Sequence, residues 1–175
     1  MTPSAVVALA NLKRRRRGDT EPREPLVDVT RARRALAEEG VAVDDLGQKH
    51  LQALNRLIDA ISELGDFIAL DHGSATRAIR VINEVASGST GTMQLSINAH
   101  AFQGELHWHE SDPVARLARQ IIQAFGEIDP SRLRQCQRQE CDLLLLDTTR
   151  SRTQRWHAEN PCGWLARQHR RRSHD

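Results

Sequence analysis

At 175 residues, 39% of them hydrophobic, the chain is long enough for one ordinary domain with an appendage or for two small ones. Its three cysteines all fall between Cys136 and Cys162, too few and too clustered for a disulfide scaffold. The formal net charge is +2, and the longest apolar runs, Ala5 to Ala10 and Leu143 to Leu146, are far too short to span a bilayer.

Residues 13–25 carry Lys13 to Arg17 together with Gly18, Pro22 and Pro25, and read as an exposed basic loop. These charges follow the first apolar stretch, the reverse of a secretory signal, so the chain is expected in the cytoplasm and off the membrane. Thr30 is placed to cap a short helix running through Glu39 and closed by Gly40. Asp44 or Asp45 then caps a longer helix ending at Gly65. Leu51, Leu54, Leu57, Ile58, Ile61 and Leu64 form its apolar stripe at helical spacing. Ser74 opens a further helix, with Ala75, Ile79, Ile82 and Val85 inward and Gly88 beyond its end.

The apolar period drops to two at Met93, Leu95, Ile97 and Ala99, and again at Leu106 and Trp108. With Gln103-Gly104 between them, a β-hairpin is expected. Asp112-Pro113 sets an N-cap acid before an N1 proline. The helix that follows shows Val114, Leu117, Ile121, Ile122 and Phe125 and stops at Gly126. Residues 1–130 therefore read as a helical domain with one hairpin, and the space between its helices leaves room for a small-molecule effector.

Cys136, Cys141, His157 and Cys162 are spaced Cys-x4-Cys-x15-His-x4-Cys. Four nitrogen or sulfur donors in two close pairs, joined by a loop, are what tetrahedral Zn2+ requires. Polar residues surround these cysteines, unlike thiols that merely fill a core. Leu143 to Leu146 suit one short buried strand. Asn160-Pro161 is a second cap pair, so a helix is expected from Pro161 to about Arg172, with Cys162 on its first turn near the positive dipole end. A knuckle, a short strand pair and a ligand-bearing helix make a treble-clef-like zinc module over residues 131–175. The expected fold class is thus mainly α with one β-hairpin, an N-terminal helical domain followed by this module.

Charge is unevenly spread. Residues 131–175 hold ten arginines against five acids, whereas residues 18–130 hold ten basic and eighteen acidic residues. An acidic body with a basic tail directs a polyanion to the tail. Arg150, Arg152 and Arg155 precede the last helix, and Arg167, Arg170 and Arg171 share one of its faces. Arginine's planar fork matches phosphate, so double-stranded DNA is the expected partner.

Residues 131–172 resemble the CGNR zinc-finger family. The resemblance rests on Arg-Leu-Arg-Gln-Cys at 132–136, Cys141, the apolar run, Asp147, Thr149-Arg150, Arg155-Trp156-His157 and Cys162-Gly163. The preceding part is similar to the ABATE domain, with Val6 to Leu12 in the place of its Leu-Asp-x-x-Asn-Thr opening. The resemblance implies a bacterial, cytoplasmic, stress-responsive transcription regulator with a DNA-binding finger. Four departures stand out. His157 replaces a cysteine, Ser151-Arg152 replace Asn-Gly, Trp164-Leu165 replace the Asn-Arg of the name-giving motif, and Ala8 replaces the opening Asp.

Other chemistry is weaker. His107 and His109, with His100 opposite, lack a carboxylate or thiol to complete a metal set and read as exposed strand histidines. Trp156 and Trp164 are expected to cover the zinc. A cysteine nucleophile would need thiols the metal already uses, so no enzyme is expected. The alternative to a DNA-binding regulator is a zinc-stabilised adaptor whose basic helix meets an acidic protein. With Asn-Arg absent, sequence discrimination is expected to be weak or to depend on a homodimer.

Overall fold

Thr2 starts the first helix, α1 (Pro3–Ala10), by accepting a hydrogen bond from Ala5 N, with a proline at N1. This helix is apolar nearly all round, as a helix covered on several sides must be. Val6, Val7, Leu9 and Ala10 are buried, and α1 packs on α3 (Leu51–Leu70), α5 (Pro113–Gly126) and the strand β4 (Leu144–Leu146). The structure is a computed structural model that describes residues 1–14, 26–71, 73–98, 101–109, 112–138 and 140–172.

The helical body follows the expected order with shifted ends. Helix α2 (Val29–Glu38) is capped by Asp28, which accepts from Arg31 N at 2.9 Å, rather than by Thr30. Gly40 closes it at φ +76°, a conformation that favours glycine. Helix α3 begins at Leu51 after a short 3-10 turn, Gln48–His50, later than a cap at Asp44 or Asp45 would set it. It then continues through Gly65 to Leu70. Gly65 is not a stop but a contact: a β-carbon there would collide with Leu144 Cδ1.

Helix α4 (Ala75–Ala86) buries Ala78 and Ile82, but Ile79 is 45% exposed, against expectation. Asp112 caps α5 through Val114 N and Ala115 N as expected, while Ile122 is exposed. Strands β1 (Thr90–Asn98) and β2 (Ala101–His109) pair antiparallel with Asn98 opposite Ala101 and Leu95 opposite Gly104. Gln103-Gly104 is therefore in strand and not the turn. Ala99, expected in the first strand, and His100 lie outside the described residues. Among the described side chains of this hairpin, Met93 is 70% exposed, and Leu106 and Trp108 are also exposed. Trp108 carries the Arg119 guanidinium 4.3 Å from its ring centre.

The second strand pair, β3 (Leu133–Gln135) with β4, is the joint of the molecule. Side chains alternate across a strand: Leu144 and Leu133 enter the core of the helical body, whereas Leu143 and Leu145 enter the core around the cysteines. The continuous Leu143–Leu146 run is apolar because both faces are covered. Cys136 N bonds Leu143 O, and Asp147 N bonds Arg132 O. The antiparallel pattern then turns Leu144's own backbone away from β3. There the Asn11 side chain takes both groups, donating to Leu144 O at 2.9 Å and accepting from Leu144 N at 2.8 Å. Asn11 stands in for a third strand.

Arg14 makes a second tie. Its guanidinium donates to Asp142 O at 3.0 Å and Ser62 O at 2.8 Å and pairs with Asp66 at 2.8 Å. Lys13 pairs with Asp59 at 2.7 Å. The first two residues of the expected exposed basic loop are thus packed against α3; burying their charge is tolerable because each is partnered. Residues 15–25 lie outside the described part.

Candidate metal centre

Four short elements converge on the cysteines. Cys136 follows β3, and Cys141 closes a tight knuckle in which Glu140 has φ +68° and Cys141 N bonds Arg138 O. Gln137 N donates to Arg155 O at 2.9 Å, holding the knuckle against the loop that carries His157. Cys162 lies in a π-type turn, Glu159–Gly163, just ahead of helix α6 (Trp164–Arg172). Within that turn only Asn160 departs from helical dihedrals, at φ −110° and ψ 124°, so helical backbone begins at Pro161, as expected, and runs on into α6 with Cys162 on its first turn.

The donor atoms of Cys136, Cys141, His157 and Cys162 all lie within 4.8 Å of one another. Cys141 Sγ is 3.5 Å from His157 Nδ1. Metal–sulfur bonds of about 2.3 Å and metal–nitrogen bonds of about 2.0–2.1 Å at tetrahedral angles require about 3.5 Å between those atoms. The electrostatics agree. Burial pushes the Cys136 thiol up, but hydrogen bonds from His157 and the Arg138 backbone outweigh it and bring it to about 6. Burial and the neighbouring Cys136 and Cys141 sulfurs push Cys162 up to about 12. Burial raises Cys141 as well. Three thiolates this close repel unless a cation sits among them. The residues present fit a tetrahedral metal ion.

The model of the ABATE family, described as "Putative stress-induced transcription regulator", matches residues 4–127. The chain belongs to the ABATE family. The CGNR zinc-finger model matches residues 132–174, in the expected order. A comparison with curated proteins finds no match. The ABATE segment supplies α1 to α5, and the finger supplies all four metal donors. Among the described residues no helix is long and apolar enough to cross a membrane.

Above the metal set, residues 147–155 form a pinned loop. Asp147, at 0% exposure, accepts from Thr149 N (2.9 Å), Thr149 Oγ1 (2.6 Å) and Gln154 N (3.0 Å), with Arg134 at 3.7 Å. The Thr149 hydrogen bonds, aided by the Gln154 N–H and Arg134, hold its carboxyl below the usual range. Arg132 props the loop by donating to Asp147 O at 2.8 Å and Thr149 O at 3.0 Å.

The expected DNA-contacting arginines are not equivalent. Arg150 and Arg155 are exposed on this loop, and no described carboxylate pairs with them. Arg152, at φ +54°, bonds Ser131 Oγ and lies 3.2 Å from Asp129. Arg167 is ion-paired with Glu159, whose carboxyl that contact lowers. The side chains of Arg170 and Arg171 lie outside the described part. Trp156 packs beside the cysteines as expected, but Trp164 does not and is 51% exposed. His109 Nε2 lies 2.8 Å from Thr92 Oγ1, while His100 lies outside the described residues.

Sequence reasoning missed Asn11, Arg14 and Glu159. A polar Asn11 inside the apolar Val6–Leu12 stretch was a usable signal, because a buried amide must find partners. Arg14 looked like one charge in a run, and nothing local distinguishes it.

Proposed function

We propose that this chain is a zinc-dependent, DNA-binding transcription regulator of the bacterial cytoplasm, responsive to a small-molecule effector and not an enzyme. The observation that carries the reading is the pinned 147–155 loop, which holds Arg150 and Arg155 outward with no described carboxylate opposing them. Cations held in place lose little freedom on meeting a phosphate, and phosphate contacts set a protein's register on the duplex. Zinc, when bound, supplies the double positive charge that lets three thiolates share one small core. His157 and the cysteines then fix the loop's far end.

The deciding experiment titrates the intact, zinc-loaded chain with duplex DNA at two salt concentrations. Affinity is expected to fall with a log–log slope of about −0.9 per neutralised phosphate. Arg155→Ala should reduce that slope by roughly one unit. No binding at low salt would overturn DNA recognition. Metal analysis tests zinc separately: about one ion per chain is expected, retained in His157→Cys and severely weakened in His157→Ala. A homodimer would double the phosphate contacts and supply the sequence discrimination that one finger lacks.

A second reading has its own support. Arg152 and Arg167 are already paired with Asp129 and Glu159, which suits an adaptor whose remaining basic surface meets an acidic protein. Zinc-loaded protein without DNA affinity would favour it.

A further inference from the structure

Helices α3, α4 and α5 pack together and leave a hollow of about 280 Å3 between them. Leu64 of α3 and Ile82 of α4, both buried, are among its walls, with Ile79, Ile122 and Phe125. Ile79 and Ile82, like Ile122 and Phe125, stand three residues apart and so share a helix face. That period turns Ile79 and Ile122 inward, yet they remain 45% and 40% exposed where they border the hollow. Gly126 leaves room at the end of α5, since a β-carbon added there would meet nothing within 4 Å.

Among the described residues no charged side chain lines the hollow, and Asn83 is its one polar residue. An ion entering it would lose water and gain no partner. A cavity of about 150 Å3 walled by leucine, isoleucine and phenylalanine stays dry and holds benzene. The hollow has the same kinds of wall and room for one or two rings, and a rigid ring loses less freedom there than a flexible chain. A docked helix would need separate pockets for anchors at i, i+3 or i+4, and i+7, whereas the space here is that of one or two side chains. The hollow also lies on the helix that meets the finger. Leu64 precedes Gly65, which packs directly against Leu144 of β4.

We propose that this hollow binds a small neutral molecule of one or two rings, bearing at most one polar group. The occupant covers Ile79 and Ile122 and removes from water the apolar surface left bare there. Binding to the folded chain alone stabilises it, and does so one residue from the joint with the finger. Such a ligand is the effector of the role given above, and its regulatory meaning rests on that reading; binding itself requires neither metal nor DNA.

The test titrates the intact, zinc-loaded chain with a fluoroindole, a neutral bicyclic compound followed by fluorine NMR. Saturable one-to-one binding is expected, with a melting temperature that rises with probe concentration. Gly126→Phe, which places a ring in the hollow, and Ile79→Arg, which sets a charge on its border, should each weaken binding roughly tenfold or more while the circular dichroism stays that of the parent. Met93→Gln, at an exposed position of the hairpin, should leave binding unchanged. Benzoate, a ring that carries a charge, should not displace the probe. Absence of saturable binding overturns the proposal, as does affinity that survives both variants of the hollow, is lost in Met93→Gln, or yields to benzoate. Binding that weakens as protein concentration rises, with a dimer in sedimentation that Ile79→Arg dissolves, would also overturn it and give the hollow to a second copy. Specific probe binding in a chain without DNA affinity would uphold the site while the regulator reading fails.

Discussion

The core of the helical body consists of aliphatic side chains from α1 to α5, whereas that of the finger consists of Leu143, Leu145 and three cysteines, with Trp156 at its edge. The first is held by apolar area removed from water, which needs no cofactor. The second is too small for that, and its cysteines repel one another when ionised, so we propose that its stability is conditional on a cation. The two are nevertheless not independent. Leu133 and Leu144 belong to the body's core, and Asn11 and Arg14 bond the finger's backbone. On that proposal, a conditional core welded to an unconditional one would make the occupancy of the metal site a property of the whole chain.

The largest test of that comparison is removal of the metal. Structural zinc contributes roughly 10–16 kcal/mol in isolated finger peptides. Chelation, or Cys162→Ser, is expected to lower the denaturant midpoint of the helices themselves, read by far-ultraviolet circular dichroism. Helices that keep their midpoint while the finger unfolds would show that the seam transmits nothing.

The seam itself comes next. Leu144→Ala should cost about 2–5 kcal/mol, as for a buried leucine that leaves a cavity. Gly65→Ala should cost about 1–3 kcal/mol by overpacking against Leu144. The double variant should cost less than the sum, because the shortened side chain makes room for the new methyl. Strict additivity in a double-mutant cycle would mean that the two residues do not meet in solution.

Asn11→Ala probes the same joint more gently. It strands the Leu144 N–H and C=O, and a loss of about 1–3 kcal/mol is expected for such unmet groups. A loss confined to a few tenths would indicate that water replaces the amide.

The smallest effect concerns the finger's outer loop. Hydrogen bonds lower the Asp147 carboxyl in the folded chain. Its contribution is therefore complete above the unfolded value, about 4, and is lost as pH falls through the lower folded value. Asp147→Asn should be less stable than the parent at neutral pH, with the difference closing in acid. Amide exchange of Thr149 and Gln154, compared between the two proteins across that range, is the check. A gap that is constant with pH would assign the difference to shape and not to charge.

Much of this was legible in residue order because the physics involved is local. A metal shell of two short chelates needs donors at close spacing, so Cys136, Cys141, His157 and Cys162 could be chosen from spacing alone. Caps act within three residues, and Asp112 did what its position implied. Where local signals compete, the nearest oxygen won: Asp28 displaced Thr30. The hairpin's existence followed from period two. Its turn did not: Gly104 is a turn-favouring residue, yet cross-strand pairing places Gln103 and Gly104 within β2.

The remainder depended on contacts between residues far apart in the chain, which leave no periodic trace. Gly65 has the identity of a helix stop, but packing of a leucine 79 positions later made it a passing place. Arg14 is indistinguishable from Arg15 by sequence, and only its approach to Asp66 and the Asp142 carbonyl takes it out of water. Trp164 was as apolar as Trp156, yet the turn carrying Cys162 points it to solvent. Sequence therefore determined which residues can hold the ion and which stretches coil into helices. The tertiary fold alone decided that the finger shares the body's core, that two of its arginines are neutralised at home, and that a hollow opens between α3, α4 and α5. A side chain's chemistry is intrinsic, but its neighbours are chosen by the whole chain at once.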